Sequence, residues 1–476
     1  MDFVKRIEIP LRKNNLNKGA ISPYLESVYQ QFQKNKSIIE RDYAIYTLNH
    51  EILGKVRPHQ DSDVNNTVFE PDIRAMVDWK VGYTVGNPIK YAQSKDMQTD
   101  DITELNKYIR NSNKRTVDAQ VAKWAYATGV GYYFVNPKET EFNVKYEAPF
   151  NLFCVAPTTC GKVYSSYIGN EELFDFFVTE TEEIGKFGSN EKRTFLTVYL
   201  PNSFLEYEIK PSKIQLLSEK TRKLYKMLPL VEKRFNDDYI GICSMAVGLQ
   251  NAIDKLVSNS LDNIEDIVNE VWVFINTSLG GDDKEKSKNF RIMKKAGAIE
   301  ISSNNPNHQA DVKTVSTKLN LNDVLAFKEN LKQAMYETAG VPRPSSNISS
   351  GNVTQGGGEI ANGYDNAHNR ALDDINTCIQ ADRYVLDRIL TICKLTPDCN
   401  LDELYSSEIE IKYSFNMLNN MLTKSQSYVN FVANNVPPKL ALRYASISND
   451  PEAEGSLIES YIANKTMEQN NNDNLA

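Results

Sequence analysis

The sequence predicts an α+β protein: a block of strands between helical regions, and a second, small β unit inserted between two helices. Three observations predict it. The runs VGYYFV, LFDFFV, TFLTVYL and FLEYEIK, rich in β-branched and aromatic residues, crowd between Gly129 and Leu217 and are broken by Gly, Pro, Asn and Lys, the pattern of antiparallel strands. On either side of that block, apolar residues recur at three- and four-residue steps, the helical period. Between two such helical stretches lie VWVFIN, the charged GGDDKEKSKNF, FRIMKK and AIEIS, which read as a small β insertion ending near Val315. With 476 residues, 41% of them hydrophobic, the chain has enough material for roughly two to four packed units.

Taken in order, the apolar residues Leu25, Val28, Phe32, Ile38 and Ile39 stand among charges from Ser22 to Leu53 and predict short amphipathic helices. A polar loop, RPHQDSDVNN, follows. Pro71 opens a helix through Met76, Val77 and Val81 that runs out in GYTVGNPIKY, and another helix spans Val117 to Ala127. After the strands and LPLVEKRFND, helical spacing resumes at Met245, Leu249, Ile253, Leu256, Ile264 and Val268, with Asp254, Asp262 and Glu265 on other faces. Beyond the β insertion it returns through Val324, Phe327, Leu331 and Met335. Asn322 is the expected N-cap of this helix, Gly340 its left-handed stop, and Pro342 forbids continuation. The stretch PRPSSNISSGNVTQGGGE reads as a Ser-, Asn- and Gly-rich loop, longer than compact domains tolerate without a role. It feeds a long helix carrying Ile360, Tyr364, Ala367, Ala371, Ile375, Ile379, Leu386 and Leu390 and ending before Pro397. NMLNNMLTKSQSYVNFV and PPKLALRYASISNDPEAEGSLIESYI are helical in pattern, and the terminal EQNNNDNLA is expected to be disordered.

Several function classes are excluded by what the sequence carries. The longest apolar stretch, around Ile240 to Leu249, is far short of a membrane span, and MDFVKRIEIPLRKNN breaks its apolar residues with charges, so neither a membrane crossing nor a secretory leader is expected. Cys154, Cys160, Cys243, Cys378, Cys393 and Cys399 form no CxxC pair and read as reduced thiols; with His50, His59, His308 and His368 scattered, no metal site is expected. A net charge of -8 argues against a protein that grips duplex DNA, though not against a conduit whose wall must let phosphates slide. Neither Gly356 to Gly358 nor Gly280 and Gly281 fits a phosphate cradle, and no cofactor is expected. The pairs Asp237, Asp238 and Asp373, Asp374 read as solvated faces or intersubunit ion pairs. No HExxH or GxSxG occurs, so the chain is not expected to be an enzyme. Its 25 tyrosines lie mostly in strand-like runs without basic partners, which favours packing over base stacking.

Four segments, in this order and spacing, resemble a known family. MVDWKVGYTVGNPIKY and AKWAYATGVGYYFV precede LPLVEKRFN with GLQNAIDKLVSNSLDNIED, and PPKLALRYASISNDPEAEGSLI follows near the end. Together they resemble the portal proteins of long-tailed bacteriophages of Gram-positive hosts. The resemblance implies a portal-type ring subunit: an α/β wing over 1–235, stem helices over 236–269 and 321–340, and a small β-containing clip over 270–320. It further implies a tunnel loop over 341–362, a long helix over 363–396 returning to the wing, and a helical crown over 397–476. The ring, usually of about twelve copies, would sit at the capsid vertex of the virion, assembled in the host cytoplasm, for DNA packaging, retention and ejection. Its partners would be itself, double-stranded DNA, terminase, a head-completion adaptor, and the major capsid and scaffolding proteins. Arg343, Ser345, Ser346, Asn347, Ser349, Ser350, Asn352, Thr354, Gln355, Gly356, Gly357 and Gly358 would face DNA, with Arg343 the loop's only cation. Lys284, Lys286 and Lys288, in the charged loop of the clip, would dock terminase and adaptor. The alternatives are another structural head or connector protein of a phage, or a nucleic-acid-processing enzyme.

Overall fold

The computed structural model describes residues 3–56, 64–93, 100–138, 143, 147–184, 190–211, 213–222, 225–268, 271–275, 282, 284–289, 311–315, 321–343, 353–397, 399, 401, 404–415, 421–445, 447, 455 and 457–461. The strands, in chain order, are β1 (Ile7–Ile9), β2 (Lys90–Gln93), β3 (Gly131–Pro137), β4 (Phe150–Val155), β5 (Cys160–Ser165), β6 (Glu172–Ile184), β7 (Asn190–Tyr199), β8 (Ser203–Lys210), β9 (Lys213–Thr221), β10 (Leu230–Lys233), β11 (Val271–Ile275), β12 (Asp311–Val315) and β13 (Ile409–Lys412). The chain folds into two compact units: one of Met1–Val4, Ser37–Val77 and Ile240–Arg370, the other of Lys5–Lys36, Asp78–Tyr239 and Ala371–Ala476.

The second of these units holds a six-stranded sheet in the order β1-β5-β6-β7-β8-β9 and a three-stranded sheet, β10-β3-β4. The strands predicted between Gly129 and Leu217 are there and pair antiparallel, while β1 adds to the edge as a parallel partner of β5, Ile7 opposite Val163. Where short helices were expected from Ser22, one helix runs from Leu25 to Tyr46. Its Leu25, Val28 and Phe32 lie on one stripe and pack onto Phe174, Phe176, Leu196, Val198 and Leu205 of the sheet. Phe32 meets Phe176 edge to face at 5.3 Å. The sheet comes so close to Gly161 that a Cβ there would stand 2.5 Å from Phe176 Cζ, which only glycine avoids.

The other core of the unit is built around the long helix Val353–Leu395. Val385, Leu386, Ile389, Leu390 and Cys393, at helical spacing, are buried against Val117 and Val121 of the helix Lys114–Thr128, Tyr133 and Val135 of β3, Phe150 and Leu152 of β4, and Ile409 and Ile411 of β13. Strand β13 pairs antiparallel with β2, Ile411 opposite Tyr91. The helix Asp100–Asn111, which the sequence reading passed over, contributes Leu105 and Tyr108.

Inside that core sits an ionic cluster. Lys233 Nζ donates to both oxygens of Asp382, at 3.1 and 3.3 Å, and to Tyr413 Oη at 3.1 Å; Tyr413 donates in turn to Asp382. Lys114 Nζ lies 2.6 Å from Asp118 and 3.8 Å from Asp382, and Tyr133 donates to Asp118 at 2.9 Å. Burial opposes charge on Asp382, Lys233 and Lys114, yet their mutual attraction prevails. Asp382 is held below the usual carboxylate range by Lys233 and Lys114, and both lysines are pushed above theirs. Both ammonium groups also lie 5.6 Å over the Tyr133 ring, so the tyrosines of these strands do have basic partners, brought from far along the chain. The expected solvated face holds at Asp373, which is exposed, and is corrected at Asp374. Asp374, mostly buried, accepts from Lys80 at 3.0 Å and Tyr126 at 3.1 Å, while Asp237 is exposed as anticipated.

In the other unit, the helix Ile242–Val268 packs against the helix Leu321–Ala339, and the antiparallel pair β11 and β12 lies between them in sequence, Val271 opposite Val315. The second helix starts at Leu321, so Asn322 lies inside its first turn instead of capping it; ends shift this much because terminal turns fray. The strands expected in FRIMKK and AIEIS, and the expected disorder of EQNNNDNLA, lie outside the described residues.

Candidate functional site

The candidate site is the chain that leaves the helix Leu321–Ala339 and returns as the helix Val353–Leu395. The exit is fixed by a Schellman closure: Gly340 N–H donates to the Glu337 carbonyl at 3.1 Å and Val341 N–H to the Tyr336 carbonyl at 3.0 Å, with Val341 buried. Gly340 sits at φ +63°, the left-handed stop that the sequence predicted. Arg370, on the returning helix, donates from Nη1 to the Thr338 carbonyl at 3.0 Å, satisfying a terminal carbonyl where cations are favoured. A Cβ on Gly340 would stand 2.3 Å from Arg370 Cδ. Gly340→Ala is therefore expected to lower stability by about 1–2 kcal/mol, the left-handed penalty of an L-residue; denaturant unfolding monitored by circular dichroism measures it, and an unchanged midpoint contradicts the closure.

Two features of the expected loop are corrected. It was assigned to 341–362, but the returning helix begins at Val353, which places Thr354, Gln355, Gly356, Gly357 and Gly358 on helical backbone. Each glycine costs about 1 kcal/mol there relative to alanine. The helix still extends because its nucleus is supplied by the buried stripe downstream, and adding residues to an existing helix is far cheaper than starting one. Arg343 does not stand free as the loop's cation: its guanidinium pairs with Glu329 on the preceding helix. Ser345, Ser346, Asn347, Ser349, Ser350 and Asn352 lie outside the described residues.

Lys284, Lys286 and Lys288 were expected on a charged loop. They are exposed, but residues 284–289 are helical, with Lys286 N–H donating to the Asp282 carbonyl at 2.9 Å. Helical spacing puts Lys284 and Lys288 on one face and Lys286 on another, so the three do not form a single row.

Sequence reasoning missed which polar residues of the helix Ile242–Val268 are interior. Asp254 and Asp262 are buried, and His50 Nδ1 lies 2.7 Å from Asp254 Oδ2 with its ring stacked on Phe69. The signal available was their four-residue spacing with Gln250 and Ser258. Among the described residues no group of three or more His, Cys, Asp or Glu could hold a metal ion, the six cysteines form no disulfide, and no helix is long and apolar enough to cross a membrane.

Among solved structures, the chain is similar to one of the "neck of native GTA particle computed with C12 symmetry", at 10% identity and a TM-score of 0.38 over 79% of this chain and 89% of that one. It is also similar to one of the "neck of empty GTA particle computed with C6 symmetry", at 9% identity and 0.38 over 83% and 89%. No curated protein matches. The family model "Phage portal protein, SPP1 Gp6-like" matches residues 25–468, nearly the whole chain, and by that match the chain belongs to the SPP1 Gp6-like family of phage portal proteins.

Proposed function

We propose that the chain forms a closed ring of about twelve copies at one capsid vertex, through which double-stranded DNA is packaged, retained and ejected. The observation that carries the reading is the family match running unbroken over residues 25–468, because it takes in every element from the first long helix to the last described one. Exposed apolar side chains support assembly. On the helix Leu321–Ala339, Leu321, Leu325 and Phe327 are 49%, 55% and 56% exposed, and Ile264 on its companion helix is 39% exposed, apolar side chains on more than one face that the neighbouring copies on either side in a ring would cover.

In this reading residues 1–235 form the wing, the two helices the stem, β11 and β12 with the segment between them the clip, and residues 397–476 the crown. The segment from Val341 to the returning helix faces DNA. Its Ser and Asn residues offer neutral hydrogen bonds that position a phosphate backbone while releasing few counterions, so contact is made and broken cheaply as DNA moves. The clip docks terminase and then the head-completion adaptor, with Lys284 and Lys288 on the contacting face. The wing and crown meet the capsid and scaffolding proteins. The chain performs no catalysis of its own.

Native mass spectrometry of the purified protein is expected to show a closed ring of about a dozen copies. A stable, folded monomer at micromolar concentration and near-physiological salt would overturn the reading.

A further inference from the structure

Along the helix Ile242–Val268, Gln250, Asp254, Ser258 and Asp262 recur at every fourth position, and all four are buried. Opposite them, alternate backbone amides of an extended segment donate in sequence. Asn66 N–H reaches Asp262 Oδ1 at 2.7 Å, Val68 N–H reaches Ser258 Oγ at 3.0 Å, and Glu70 N–H reaches Asp254 Oδ1 at 3.3 Å. Ser258 returns a hydrogen bond to the Val68 carbonyl at 3.0 Å, and Gln250 Nε2 donates to the Glu70 carbonyl at 2.7 Å. The two periods match: four helical residues rise about 6.0 Å, and two extended residues advance about 6.6 Å. The helix thus offers side chains where a sheet would offer a partner strand. Lys55 Nζ holds the far end, 2.6 Å from Asp262 Oδ2; against the cost of burial, Lys55 and the Asn66 amide keep the Asp262 carboxyl below its usual range.

The same segment grips the second helix. Glu70 pairs with both Lys328 and Lys332, Lys332 Nζ lies 3.2 Å from Asp72 Oδ1, and Tyr336 Oη donates to that oxygen at 3.2 Å. Lys328, Lys332 and Tyr336 stand four apart, on one face of the helix Leu321–Ala339. Tyr336 is also the residue whose carbonyl closes the Schellman turn with Val341.

We propose that residues 64–72 are a strap that sets the register of the helix Leu321–Ala339 against the helix Ile242–Val268. The strap thereby positions the turn at Gly340 from which the candidate DNA-facing segment departs. The first helix holds the strap by hydrogen bonds to its backbone, which tolerate many side chains on the strap; the second is held by charge pairs, which specify Glu70 and Asp72. The channel consequence rests on the portal reading, but the strap itself does not.

The test uses the assembled protein without DNA, so that its failure leaves the portal reading untouched. Spin labels at Asn259→Cys and Asn330→Cys, both exposed and outside the apolar surface proposed to meet a neighbour, report the distance between the helices by pulsed electron resonance in rings that carry a small fraction of labelled subunits. Amide hydrogen exchange reports residues 66, 68 and 70. Glu70→Gln is expected to broaden or shift the distance distribution while the three amides stay protected and the unfolding midpoint stays close to that of the parent. Ser258→Ala with Asp262→Asn is expected to speed exchange at 66 and 68 by about tenfold or more and to broaden the same distribution. An unchanged distribution in Glu70→Gln overturns the proposal, and because that variant leaves the buried ladder intact, its outcome decides even if the double variant fails to fold.

Discussion

Rings in which residues 346–358 are replaced by a short Gly–Ser linker are expected to assemble and to enter proheads at near-normal yield, yet to package no full-length DNA or to lose it after packaging. Assembly should survive because the replaced span lies beyond the Schellman closure at Gly340 and Val341 and before Ala367, the first buried side chain described on the returning helix. The apolar residues proposed to meet a neighbour, Leu321, Leu325 and Phe327, are untouched. What is removed is the set of neutral donors, Ser346, Asn347, Ser349, Ser350 and Asn352 among them, together with the stretch from Val353 to Gly358 that opens the returning helix. The replaced span carries no cation, and Arg343 before it is paired to Glu329, so any hold on DNA must come from many weak contacts repeated around the ring. DNA length per particle, read by gel electrophoresis of nuclease-treated heads, measures the outcome. Full-length DNA retained at normal yield would remove this segment from DNA handling.

Asp382→Ala is expected to destabilise its unit by about 3–5 kcal/mol, the cost of leaving a buried charge uncompensated. The carboxylate is fully buried between Lys233 and Tyr413, so its loss strands the Lys233 ammonium in the core, while Lys114 keeps Asp118 as a partner. Replacing the pair, with Lys233→Met and Asp382→Leu together, should recover much of the loss, because a buried ion pair exchanged for apolar groups of similar volume is often near neutral. The pH dependence follows from the lowered folded-state value of Asp382. A depressed carboxylate contributes stability that is fully present above the unfolded value, about 4, and is lost as pH falls through the lower folded one. The difference between parent and Asp382→Ala should therefore be constant near neutrality and narrow in strong acid. Denaturant midpoints across that range check it; a single variant within about 1 kcal/mol of the parent would show that the cluster contributes little.

Much of the architecture was legible in the sequence because it is local. The strand runs from VGYYFV to FLEYEIK, the helix through Met245 to Val268, the stop at Gly340 before Pro342 and the end of the long helix before Pro397 are each written in periods and turn residues a few positions long. The order of four weak segments was enough to show a resemblance to phage portal proteins, and the family model bears out that coarser statement over residues 25–468.

Tertiary structure decided the rest, wherever two stretches distant in sequence had to meet. Parallel pairing of β1 with β5 and the β2–β13 pair join residues more than a hundred positions apart, and nothing in IEI or KYAQ names its partner. Asp254, Asp262, Asp374 and Asp382 were read as surface acids or passed over, since an isolated carboxylate is costly to bury; His50, Lys55, Lys80 and Lys233 make burial possible, and only folding brings them within reach. Likewise, the glycines at 356 to 358 predict a loop by propensity, which is worth about 1 kcal/mol per residue. That preference is overridden when the helix has already been nucleated by side chains packed downstream, from Ala367 onward. Local propensity decides where an element can form, and the burial of distant partners decides where it ends and which of its charges go inside.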